Sequence, residues 1–135
     1  MKTLLALIAF AAACNATAAP TPAACPEGLP AGARCYTGQD GAGAFYWIAL
    51  PPRWQPATGV LVMHAHGGPE LGAPRLSRTE EDLKRWSVMV RAGYAWAGST
   101  YRRGGYGVTM AGEDTERLRE IFVRDIGAPR RTILH

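Results

Sequence analysis

No stretch of this sequence is apolar for long enough to cross a bilayer. Its longest such run, residues 3–13, is about a dozen residues, where a hydrocarbon layer of about 30 Å needs ~20. A membrane-spanning helix is therefore not expected. Phosphate-cradling loops are also missing. Gly41-Ala42-Gly43 lacks the third glycine of a dinucleotide loop, and no Gly-Lys-Ser/Thr follows a strand, so no nucleotide cofactor is implied. Cysteine is scarce, and the three that occur (Cys14, Cys25 and Cys35) lack the two-residue spacing of redox pairs or zinc knuckles. There is no basic segment either. The net charge of +4 comes mainly from arginines scattered among acids in residues 79–91 and 113–125, which describes solvated helix faces and not a nucleic-acid footprint.

With 135 residues, 47% hydrophobic and 19% charged, the chain has the composition of one compact domain. Residues 1–18 read as a secretion signal: Lys2 gives a positive start, residues 3–13 an apolar middle, and Ala16-Thr17-Ala18 a small-residue cleavage site before Ala19. Cys14 follows three alanines and offers a lipoprotein-type acylation site as an alternative, although Ala11 stands where such sites usually carry Leu. The Asn15-Ala16-Thr17 sequon falls inside the segment to be removed. Cys25 and Cys35 then remain as an even pair in a chain bound for an oxidising compartment, separated by a Pro/Gly-rich stretch that can turn back. A local disulfide is expected, stabilising by about 2 to 3 kcal/mol.

Residues 19–43 carry no sustained periodicity and read as a disulfide-tied lead-in to a domain over residues 44–135. Residues 44–50, with Phe45-Tyr46-Trp47-Ile48 halted by Pro51-Pro52, predict an antiparallel edge strand. The apolar run 59–64, closed by Gly67-Gly68-Pro69, predicts a central strand covered on both faces. Ser77 and Glu80 form a capping box ahead of Leu83, Trp86, Met89 and Val90, predicting a helix over about 79–92. A second strand over 94–101 follows. The spacing of Leu118, Ile121, Phe122 and Ile126 predicts a second helix over about 110–125, stopped by Gly127 and Pro129, and Thr132-Ile133-Leu134 begins a third strand. Alternating strands and helices with short links predict the α/β class, a parallel sheet flanked by helices with right-handed crossovers.

In such sheets ligands bind beyond the carboxyl ends of the strands, which directs attention to residues 64–69 and 101–107. Gly67 and Gly68 present no side chain to an approaching substrate and leave backbone N–H groups free for a carbonyl oxygen as it becomes negative. His66-Gly67-Gly68-Pro69 after an apolar strand, followed by Tyr101-Arg102-Arg103-Gly104-Gly105-Tyr106-Gly107 after the next and by the acidic helix start Glu113-Asp114, resembles the α/β-hydrolase superfamily. Within that superfamily the resemblance is to serine peptidases and esterases of the prolyl-oligopeptidase and proline-iminopeptidase kind, and it spans about residues 45–135.

The resemblance implies an incomplete α/β-hydrolase core, inactive by itself, from an enzyme that in complete form acts on a small ester or peptide. Gly67 and Gly68 would be oxyanion donors and His66 would shape their loop. Arg102 and Arg103, read from the residues alone, either face a substrate carboxylate or stand in solvent. The family's next strand leads to Gly-x-Ser-x-Gly, the elbow of the catalytic serine. Here that strand is 131–135 and no such elbow occurs, so the serine, acid and histidine are expected beyond it. Ser77, Ser87 and Ser99 do not lie in glycine-flanked strand-to-helix turns. Two other classes remain open. One is a metal site begun by His64 and His66, two apart on a strand, with Glu70 nearby. The other is a small secreted binding domain without catalysis.

Overall fold

Tyr46, Ile48 and Leu50 alternate with Trp47 and Ala49, and all five side chains are buried. A strand can bury both sets only if each face of its sheet is covered. The computed structural model describes residues 18–68 and 71–135, and the sheet it contains meets that requirement. Strands β1 (Thr21–Ala23), β2 (Arg34–Gln39), β3 (Phe45–Leu50), β4 (Val60–His64), β5 (Ala95–Ser99) and β6 (Arg131–Leu134) form one sheet in the order β1-β2-β3-β5-β4-β6. Helices α1 (Leu76–Arg85) and α2 (Ser87–Arg91) lie between β4 and β5 in the chain, and α3 (Val108–Asp125) between β5 and β6. The expected signal, its cleavage site and Cys14 fall on residues 1–17, outside the described residues, as do Pro69 and Glu70.

The expectation of a parallel sheet flanked by helices, an incomplete α/β-hydrolase core, is corrected by this topology. The sheet is mixed: β1–β2, β2–β3 and β3–β5 pair antiparallel, and only β4–β5 and β4–β6 pair parallel. Much of the difference lies in the segment read as a disulfide-tied lead-in, which supplies β1 and β2. β2 and β3 are joined by a tight turn in which the Asp40 carboxylate accepts from the N–H groups of Ala42 and Ala44, both at 2.9 Å, and so short a turn forces a hairpin. β1 returns along β2, and the Cys25–Cys35 disulfide ties the loop between them to the second residue of β2. β3 is therefore an interior strand and not an edge.

The two faces have separate cores. On one, Tyr46, Ile48, Leu61, Met63 and Ala97 pack against Leu118, Ile121 and Phe122 of α3. On the other, Trp47, Ala49, Val62 and Trp96 pack against Leu83 and Val90 of α1 and α2. Trp96 is the largest fully buried side chain and lies over Gly98, where even a Cβ would collide with its ring. The single helix expected over 79–92 is two, interrupted at Trp86, and it begins at Leu76. Its N-cap residue is Arg75 with no side-chain capping bond, so the Ser77/Glu80 capping box does not form. α3 ends where expected: Gly127, at φ 129°, donates its N–H back to the Phe122 carbonyl.

Candidate functional site

Because β4 and β5 are parallel neighbours, the loops that follow them emerge side by side at the same sheet end. Together with the start of α3 they enclose a cleft of about 170 Å³, lined among others by His66, Gly67, Gly68, Arg103, Tyr106 and Met110. The sequence had singled out both loops, and the structure brings them together. A Cβ added at Gly67 or Gly68 would meet no protein atom within 4 Å. Gly68 has φ 86°, a conformation that favours glycine, whereas Gly67 is held to glycine by neither packing nor a left-handed backbone. Among the described residues, neither backbone N–H has an acceptor.

Tyr101 anchors the two loops and was not assigned a role from sequence. It is buried and adopts φ 58°, a strained conformation for a bulky residue. Its N–H donates to Ser99 Oγ, and its carbonyl accepts from Thr100 Oγ1. Its ring stacks on His66 and its hydroxyl donates to the His66 carbonyl. Burial raises the Tyr101 phenol above its ordinary value, so it remains a donor throughout the neutral range. His66 itself turns both ring nitrogens inward, and among the described residues neither has a hydrogen-bond partner.

The structure separates the two arginines. The Arg102 guanidinium is held by Asp114 at 2.8 Å and by Glu113 at 2.6 Å, and its backbone N–H donates to Asp114 Oδ2 at 2.7 Å. Asp114 is wholly buried and also accepts from Arg117, which in turn reaches Asp40 in the β2–β3 turn at 2.9 Å. Arg102 is thus a strut between the cleft loop and α3. Arg103 is exposed on the cleft and, among the described residues, makes no ion pair or hydrogen bond. Asp114 was legible as an acid on the apolar face of α3, since Asp114, Leu118 and Ile121 fall at helical spacing on the buried side.

His64 and His66 are held by different partners. β4 ends at His64, so strand alternation does not extend to His66. His64 stacks on Trp96, with ring centroids 5.6 Å apart, while His66 stacks on Tyr101. Among the described residues no three His, Cys, Asp or Glu side chains gather as a metal would require. His64 Nδ1 instead lies 3.2 Å from His135 Nδ1, and its Nε2 lies 3.8 Å from Asp82 Oδ2. Burial pushes the His64 imidazole down to about 4 against the opposing pull of Asp82, so at neutral pH the ring is uncharged.

The described helices include none long and apolar enough to cross a membrane. No protein-family model, curated protein or solved structure matches the chain.

Proposed function

We propose that the chain carries the oxyanion-stabilising part of an exported serine hydrolase that cleaves ester or peptide bonds. The observation that carries this reading is the pair Gly67-Gly68: two adjacent residues without side chains, their N–H groups unclaimed among the described residues, on a cleft shared with the Arg/Gly-rich loop. In acyl transfer a nucleophile attacks the carbonyl carbon and the carbonyl oxygen takes up the displaced electron pair. Two fixed backbone donors lower the energy of that oxyanion without having to reorganise. The intermediate then expels an alcohol or amine, and water completes the cleavage to a carboxylic acid. The 135 residues hold no Gly-x-Ser-x-Gly, so no residue here is assigned the nucleophile. The resemblance of both loops to those of prolyl-oligopeptidase-like and proline-iminopeptidase-like serine hydrolases supports the same reading. Export through cleavage after Ala18 accords with the Cys25–Cys35 disulfide, since such bonds persist in oxidising compartments.

The first test is the coding sequence beyond His135. An in-frame Gly-x-Ser-x-Gly supports the proposal, and an immediate stop codon rejects catalysis in favour of a binding role. The second test is Gly67→Val in a protein that carries the nucleophile segment. The backbone N–H is retained, but the isopropyl group takes up open space through which a substrate carbonyl would reach it, so turnover should fall by about 10²- to 10³-fold, the scale of one oxyanion donor put out of reach. Gly67 suits this test because a side chain there meets open space and needs no left-handed backbone, so the thermal midpoint should hold. Gly68→Val combines the same loss with backbone strain and does not separate the two effects. An unchanged rate in a folded Gly67→Val protein rejects the oxyanion assignment.

A further inference from the structure

Resting on the acyl-transfer reading, the geometry points to Arg103 as the binding group for a carboxylate on an otherwise apolar or aromatic substrate. Among the described side chains lining the cleft Arg103 is the only one with a permanent charge, and the rest of the described lining is mainly glycine, aromatic and aliphatic. Tyr106 and Val108, both 89% exposed, extend this apolar character at the cleft.

The contrast with the preceding residue strengthens the assignment. Arg102 has its guanidinium and backbone N–H consumed by Glu113 and Asp114, whereas none of the donors of Arg103 is used within the described residues. A planar fork of unclaimed donors beside an apolar cleft matches a carboxylate, which accepts two parallel N–H bonds, better than it matches a neutral polar group. The ligand is therefore an amphipathic monoanion. Its apolar body lies along Tyr106 and Met110, its carboxylate meets Arg103, and its scissile carbonyl is within the reach of Gly67 and Gly68 that a cleft this small allows.

The inference is tested by saturation-transfer NMR on the full chain at micromolar concentration, with 4-phenylbutyrate and its neutral isostere 4-phenylbutyramide as probes. The carboxylate should bind about tenfold more tightly than the amide at low salt, and added NaCl should erode the difference. Arg103→Gln should abolish the preference, and Arg103→Lys should restore part of it. The side chain is exposed, so neither change should disturb the fold, and unchanged thermal midpoints verify this. Equal binding of the two probes, failure of both to saturate, or a preference that survives in Arg103→Gln overturns the assignment. The measurement does not pass through turnover. A failed oxyanion test with the carboxylate preference intact removes the hydrolase reading and leaves the anion site, while a missing preference removes the anion site whatever Gly67→Val does.

Discussion

The ring of Tyr101 stacks on that of His66 with centroids 4.2 Å apart, and its hydroxyl donates to the His66 carbonyl at 3.2 Å. One side chain thus joins the loop after β5 to the loop after β4. The strained backbone of Tyr101 is held there by Ser99, Thr100 and this contact acting together. Tyr101→Phe keeps the stack and removes the hydrogen bond, so it should cost about 1 kcal/mol. The loss should concentrate in the loop. Amide exchange at His66 and Gly67 should accelerate more than exchange in β4, and uniform acceleration would mean that the hydroxyl does not tie the loops.

His64 gives the fold a pH dependence of defined sign. An unfolded chain takes up a proton near the ordinary imidazole value of 6.5, whereas buried His64 resists it down to about 4. The contribution of neutral His64 is therefore complete above about pH 6.5 and is lost as the pH falls towards 4, by about 3 kcal/mol in all. Asp82, which favours protonation, and His135, His66 and Arg78, which oppose it, are the charged or titratable neighbours that set this value. Urea unfolding at pH 7 and pH 4 should show a markedly smaller loss for His64→Gln than for the unsubstituted chain. Equal losses would place the acid sensitivity elsewhere.

The elements that bury a continuous apolar stripe were legible in the sequence: the strand and helix types over residues 44–134 are as the periodicity predicts, with ends shifted by a few residues. Strand direction was legible for these segments as well, residues 44–50 running antiparallel and β4, β5 and β6 parallel to one another, but two further strands before them were not. β2, Arg34–Gln39, buries only Cys35, so it left no apolar alternation to read, and without it the hairpin that makes most of the sheet antiparallel and β3 interior was invisible. The cleft was legible through its glycines, which mark where backbone must be bare. The roles of Arg102 and Arg103 were not legible, because adjacent identical residues differ only in what the fold sets beside them.

Asp114 measures how strongly the cleft loop is held. The wholly buried carboxylate accepts from Arg102 and Arg117, and removing its charge leaves both guanidinium groups facing a neutral amide. Asp114→Asn should cost about 3 kcal/mol, the scale of breaking a buried ion pair by removing one partner. Arg119→Gln, which breaks only an exposed pair with Glu116, should cost well under 1 kcal/mol. If the two variants unfold at the same temperature, the Asp114 network does not brace the loop.

β6 forms one edge of the sheet. It pairs with β4 on one side and with no other strand among the described residues, and all four of its residues are exposed. Its register sets Ile133 beside Val62, in the core under α1 and α2, and Leu134 beside Met63, in the core under α3. Each nevertheless remains open, at 43% and 66% exposure, and a cavity of about 550 Å³ lies between Leu134, Thr132 and α3. An unprotected edge with apolar side chains towards both faces is a template for pairing with another chain. At concentrations of tens of micromolar or above, the full chain should therefore self-associate in sedimentation velocity. Leu134→Lys should shift it towards monomer by placing a charge on the edge. The same preparation should not turn over short-chain nitrophenyl esters or aminoacyl nitroanilides above background, because backbone donors at Gly67 and Gly68 have no covalent step to assist without a nucleophile. A monomer at high concentration with a sharp two-state transition would show that β6 is an adequate edge. Turnover that survives repurification would show that a nucleophile lies within these 135 residues after all.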